Sequence, residues 1–137
     1  MYLLDTNVVS ELRKPATRID EGVSHWVRAQ DAERLFLSAV SVLELEVGVL
    51  RLERRDARKG TRLRGWLDEV LQTFGDRVLP FDSEAAQQAA MLQVPDPRAD
   101  HDSFIAATAL SHGLTVVTRN ERDFVPMGVP ILNPWSL

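Results

Sequence analysis

Met1-Tyr2-Leu3-Leu4-Asp5-Thr6-Asn7-Val8-Val9-Ser10-Glu11-Leu12 opens the chain with a short apolar run, ends that run on an acid, and starts a helix-like segment at once. In an open parallel sheet, ligands sit in the crevice outside the carboxyl ends of the strands. If Tyr2 to Leu4 is a central strand, Asp5 stands where such a protein keeps its chemistry. The rest of the chain is read by asking which side chains join it there.

Working outward, strands and helices alternate. Ile19, Val23, Trp26 and Val27 recur at helical spacing, and Leu35-Phe36-Leu37-Ser38 reads as a second strand. From Ser41 to about Arg55 two apolar stripes run along one helix: Val42, Leu45, Val49 and Leu52, and Leu43, Val47 and Leu50. One stripe fits the sheet, and the other is available to a second subunit. Leu63, Trp66, Leu67, Val70, Leu71 and Phe74 follow the helical template without a miss, closed by Gly75. Arg77 to Phe81 reads as a third strand, followed by an alanine-rich helix capped by Asp82 or Ser83 and a stiff loop at Val94-Pro95-Asp96-Pro97. A helix from near Asp100 or Asp102 stops at His112-Gly113. Leu114 to Thr118 is a further strand, and Val129 to Leu132 an edge strand. This alternation predicts an α/β fold, with a parallel sheet of four to five strands and helices on both faces.

The 137 residues suit one domain, 1–137, with 45% hydrophobic and 26% charged residues typical of a globular protein. Without cysteine, disulfides and thiolate metal sites are excluded. No segment approaches the roughly 18 apolar residues of a membrane span, so the expected location is cytoplasmic. A net charge of −4 argues weakly against a nucleic-acid partner. That argument fails if the acids cluster in a site neutralised by metal.

Four acids occupy comparable places. Asp5 follows the first strand, and Glu44 lies in the first turns of the greasy helix. Asp102 starts the helix carrying Phe104 to Ala109, and Asp123 lies just beyond the Leu114–Thr118 strand. Taken singly, each also reads as a helix cap or an exposed helix-face residue. Their joint placement predicts a shared pocket, in which like charges raise one another's pKa unless a cation intervenes. Oxygen ligands, no cysteine and three scattered histidines favour Mg²⁺ or Mn²⁺ over zinc. Asp100 competes with Asp102 for that place.

Leu4-Asp5-Thr6-Asn7, Glu44 with Gly48, Asp102-Ser103-Phe104-Ile105-Ala106-Ala107-Thr108-Ala109 and Val117-Thr118-Arg119-Asn120-Glu121-Arg122-Asp123-Phe124 together resemble the PIN-domain ribonucleases. Within these, the chain looks like the VapC-type toxins of bacterial toxin–antitoxin pairs, and Ile131-Leu132-Asn133-Pro134-Trp135 is similar to that branch too. The resemblance implies a three-layer α/β/α PIN-like fold and a metal-dependent endoribonuclease that hydrolyses RNA. Its site would be Asp5, Glu44, Asp102 and Asp123, with Asp5, Asp102 and Asp123 on the metal. Asn7, Thr118 and Asn120 match neighbouring motif positions that would orient water or a ligand, with Asp100 in support. It also implies a homodimer and a cognate antitoxin. Around Glu44 the chain departs from the family in Leu43, Leu45, Glu46 and Val47, which makes Glu46 a substitute candidate. Helical geometry turns Glu46 about 200° away.

The basic run from Arg51 to Arg64 is either a solvated connection between two helices or a contact surface. Arg51, Arg54, Arg55 and Arg58 are the candidates to meet RNA phosphates or an antitoxin. Two other functions compete. An aspartyl-phosphate phosphatase needs a second acid two residues after its nucleophile, where this chain has Asn7. A catalytically silent PIN-like module, binding RNA or a partner peptide, would bear an acidic cluster only at a cost in stability.

Overall fold

The computed structural model describes residues 1–137, and their order is that of a doubly covered parallel sheet. The strands are β1 (Tyr2–Leu4), β2 (Leu35–Ser38), β3 (Val78–Leu79), β4 (Thr115–Val117) and β5 (Ile131–Leu132). They lie in the order β3-β2-β1-β4-β5, all parallel. The opening strand is therefore the central one, paired Leu3 to Phe36 on one side and Leu4 to Val117 on the other.

Side chains alternate across a strand, and a strand covered on both faces can be apolar throughout. Leu3 and Leu4 show the consequence. Leu4 joins Val8, Val23, Trp26, Leu45, Val49 and Leu67 on one face. Leu3 joins Ile105, Ala106, Ala109, Val116 and Phe124 on the other. The first face is covered by α1 (Thr6–Leu12), α2 (Glu21–Arg28), α3 (Ala39–Arg55) and α4 (Ala57–Phe74). The second is covered by α6 (Asp100–His112) and α7 (Glu121–Phe124), with α5 (Ser83–Gln93) packed on α6. This is the three-layer α/β/α arrangement expected. Gly75 and Gly113 end α4 and α6 with positive φ, 54° and 65°, which glycine adopts without strain. No helix is long and apolar enough to cross a membrane.

Two expectations need correction. The third strand pairs only at Val78 and Leu79. Pro80 has no N–H to offer β2, and Arg77 spends its guanidinium on the carbonyls of Ala32, Leu35 and Thr73. Phe81 turns away to stack beside Phe104 at 4.7 Å between ring centres. The basic run is not a connection between helices either. It is helical throughout except at Asp56, whose carboxylate accepts from the Lys59 N–H at 3.1 Å and starts α4 one residue after α3 ends.

This one-residue break brings α3 and α4 together as a hairpin, and Gly60 sets how closely. A Cβ on Gly60 would lie 2.5 Å from Glu53 Cα, against backbone that cannot step aside. Gly60→Ala is expected to destabilise the fold by about 1–3 kcal/mol through overpacking. Gly65→Ala, with nothing within 4 Å of the new methyl, should stabilise it by about 0.5–1 kcal/mol. Urea denaturation of both variants checks this, and equal responses would remove the close-approach role from Gly60.

Candidate active site

Asp5 leaves β1 with its N–H on the Val117 carbonyl at 2.9 Å and then caps α1. The side chain is 5% exposed. Its Oδ1 accepts the Thr6 N–H at 2.8 Å. Its Oδ2 accepts the Thr118 hydroxyl at 2.7 Å and the Asn7 Nδ2 at 3.3 Å. Thr118 Oγ1 itself accepts from the Asn120 N–H at 2.9 Å, which leaves the hydroxyl proton for Asp5. Asp5 thus caps a helix and lines the depression described below. Burial lifts its pKa from 3.8 to about 6, against the pull of its Thr118 and Thr6 hydrogen bonds and with the help of the Asp102 and Glu44 charges.

Glu44 stands on α3 across from the end of β1. Its Oε1 accepts the Thr6 hydroxyl at 2.8 Å. Since a threonine has one hydroxyl proton, the 3.0 Å contact between Thr6 and the buried Ser41 is made by the serine donating. The other oxygen of Glu44 lies 3.5 Å from His101 Nδ1. Asp102, in the first turn of α6, has its pKa raised by burial first and then by the Asp123 and Glu44 charges, with His101 opposing.

Asp5, Glu44 and Asp102 open on one depression of about 460 Å³, whose wall also carries Asn7, Asn120, Lys14 and Arg119. Asp123 is exposed and borders an adjoining depression with Asp102, Arg98 and Arg122. Asp102 therefore stands between the other acids. No three acidic or histidine side chains close into a cluster of metal-holding geometry. The donors are nevertheless all carboxylate oxygens around an open pocket, and two of them are short of positive charge, which fits a hard divalent cation better than zinc. A larger cavity of about 690 Å³, between α2 and Leu137, has only Glu21 as an acid.

Other expected participants stand elsewhere. Asp100 accepts from Gln93 Nε2 at 3.3 Å and does not line the depression. Glu46 is bound by Arg64 on α4 at 2.9 Å, so it does not replace Glu44. Arg51, Arg54, Arg55 and Arg58 are exposed, make no ion pair and border none of these depressions. Sequence reasoning passed over Thr6, Ser41, Glu11, Lys14 and Arg119. The i,i+3 spacing of Glu11 and Lys14 was the one local signal for any of them.

The raised pKa of Asp5 has a measurable sign. Its contribution favours the fold below about pH 4 and is lost as pH rises through about 6. In chelator, Asp5→Asn should therefore gain stability over wild type between about pH 4 and pH 7, by on the order of 2–3 kcal/mol. Urea midpoints across that range test it, and a constant difference would contradict it.

Residues 2–127 match the model of the PIN domain family. The VapC ribonuclease Y4jK of Sinorhizobium fredii is 40% identical over 143 residues, covering 99% of both chains. Toxin FitB of Neisseria gonorrhoeae is 38% identical over 143 residues, covering 98% of this chain and 99% of that one. The crystal structure of FitAcB from Neisseria gonorrhoeae superposes with a TM-score of 0.91 at 38% identity, with both chains fully covered. The chain thus belongs to the PIN-domain family, in the branch that includes VapC and FitB.

Proposed function

We propose that this protein is a Mg²⁺-dependent endoribonuclease, Mn²⁺ being able to substitute, and the toxin of a toxin–antitoxin pair acting in the cytoplasm. The observation that carries this reading is the gathering of Asp5, Glu44 and Asp102 around one depression at the carboxyl edge of the sheet. Relatives named VapC ribonuclease and FitB support it, as do similar structures of FitAB bound to DNA at a TM-score of 0.90. An antitoxin partner follows from the same kinship. The half-exposed Leu43 and Leu50 on α3 are the face we assign to a second copy in a homodimer.

Asp5, Asp102 and Asp123 are the residues to hold the ion. When bound, it would supply polarisation of a phosphoryl oxygen and a lowered pKa for water. Thr118 and Asn7 fix which way the Oδ2 of Asp5 points, and the Thr6 N–H fixes its Oδ1. Glu44, held by Thr6, turns its remaining oxygen toward His101 at 3.5 Å, where it is suited to accept from a water that attacks the phosphorus. Asn120 lines the same wall and is placed to orient that water or the substrate.

Purified protein, freed of any partner, should cut total cellular RNA into discrete fragments with Mg²⁺ and leave it intact in chelator. Asp5→Asn should abolish cutting while keeping the fold. Cutting at the wild-type rate in that variant would sink the proposed site. Intact RNA from folded, Mg²⁺-loaded wild type would favour a silent binding module. Thr6→Val should leave Glu44 unheld and lower kcat by about 10–100-fold with the Mg²⁺ titration unmoved. An unchanged kcat would detach Thr6 from the site.

A further inference from the structure

Glu11 is a buried acid for which the proposed hydrolysis has no use. It is 5% exposed, yet it borders the same depression as Asp5 and Glu44. Both its oxygens are engaged: Oε1 by Lys14 Nζ at 2.8 Å, Oε2 by the Asp20 N–H at 2.9 Å. The second bond ties down the segment between α1 and α2, and the first holds Lys14 against the pocket wall. The charge of Arg119 also acts on Glu11. Arg119 in turn lies over Trp135, with the guanidinium carbon 5.5 Å from the ring centre.

Lys14 and Arg119 thus share a pocket with Asp5, Glu44 and Asp102 and pair with none of these three. Two loose cations beside Asp5, Glu44 and Asp102 would collapse onto those carboxylates. Glu11 engages Lys14 and Trp135 seats Arg119, so neither cation neutralises those carboxylates. Lys14 uses one of its three N–H donors on Glu11. It also stands where the depression opens into a second one, lined by Arg13, Leu63 and Trp66.

A single RNA strand carries one negative charge per nucleotide, so only one phosphate can sit on the acids and their ion. Its neighbours need positive donors beside them. We propose that Lys14 and Arg119 form a binding subsite for the phosphates flanking the cleaved bond, and that Glu11 is the positioning residue that fixes Lys14. This rests on the ribonuclease reading, and the strand it describes leaves the acids past Lys14 and Arg13.

The test uses the full-length protein and a single-stranded RNA oligonucleotide. Lys14→Met and Arg119→Met should each raise KM about tenfold, with most of the loss of kcat/KM in KM rather than kcat. Binding, followed by fluorescence anisotropy in chelator over a salt series, should lose about 0.7 from its salt slope per variant. Glu11→Gln should reproduce the Lys14→Met slope, which a purely structural role would not move. A lowered melting temperature with an unaltered slope would overturn the positioning role. If wild type cuts RNA but KM and slope are unaltered in Lys14→Met and Arg119→Met, the subsite is wrong and the cations belong to a protein partner. If wild type does not cut RNA, the ribonuclease reading fails and the anisotropy series still decides the subsite. Absence of RNA binding by wild type would overturn it.

Discussion

A carboxylate at the end of a strand covered on both faces loses most of its water, and the fold must answer with donors or with charge. Around Asp5 the answer is donors: the Thr6 N–H, the Thr118 hydroxyl and the Asn7 amide, drawn from the start of α1 and the end of β4. Central position in the sheet makes these elements meet, because β4 lies directly beside β1 in register. Thr118 can serve Asp5 because the Asn120 N–H occupies its lone pair. Removal of any one of these groups leaves the others pointing at a less satisfied charge.

Glu11 gives the contrast. It is as buried as Asp5, at 5% exposure, but its pKa is lowered where that of Asp5 is raised. Two things make the difference: the Lys14 ammonium meets one oxygen of Glu11 directly, and desolvation, which dominates at Asp5, is the lesser influence at Glu11. Two carboxylates on the same short helix and its cap are thus in opposite states of compensation. One is satisfied within the chain. The other is met by hydrogen bonds alone, with no positive side chain against it.

Much of this was legible in the residues. Leu3 and Leu4 before Asp5 read as a strand that could be central, and Leu114 to Thr118 as another, since a strand buried on both faces needs no alternation. Asp5, Glu44 and Asp102 were legible as a group because strand ends and helix starts share one edge of a parallel sheet. What the sequence hid was local competition. Arg77 reads as strand until its guanidinium finds three carbonyls. Asp56 reads as one acid opposing a basic stretch until its carboxylate caps a helix. Thr6 and Ser41 carry no signature, since their role is a hydrogen bond across 35 positions. Asp100 and Asp102 share a first turn, and only the packing of α5 decides that Asp100 is taken by Gln93.

The break of α3 and α4 at Asp56 also divides the molecule electrically. Residues 51–64 hold seven cations against two acids, while the whole chain is at −4, so the remainder carries −9. Folded into two helices that meet at a single residue, the positive charge is gathered at one bend. The protein therefore has a permanent dipole. An approaching polyanion is attracted at the arginine-rich bend and repelled by the acidic remainder. Its capture rate is governed by ionic strength even where its chemistry is not.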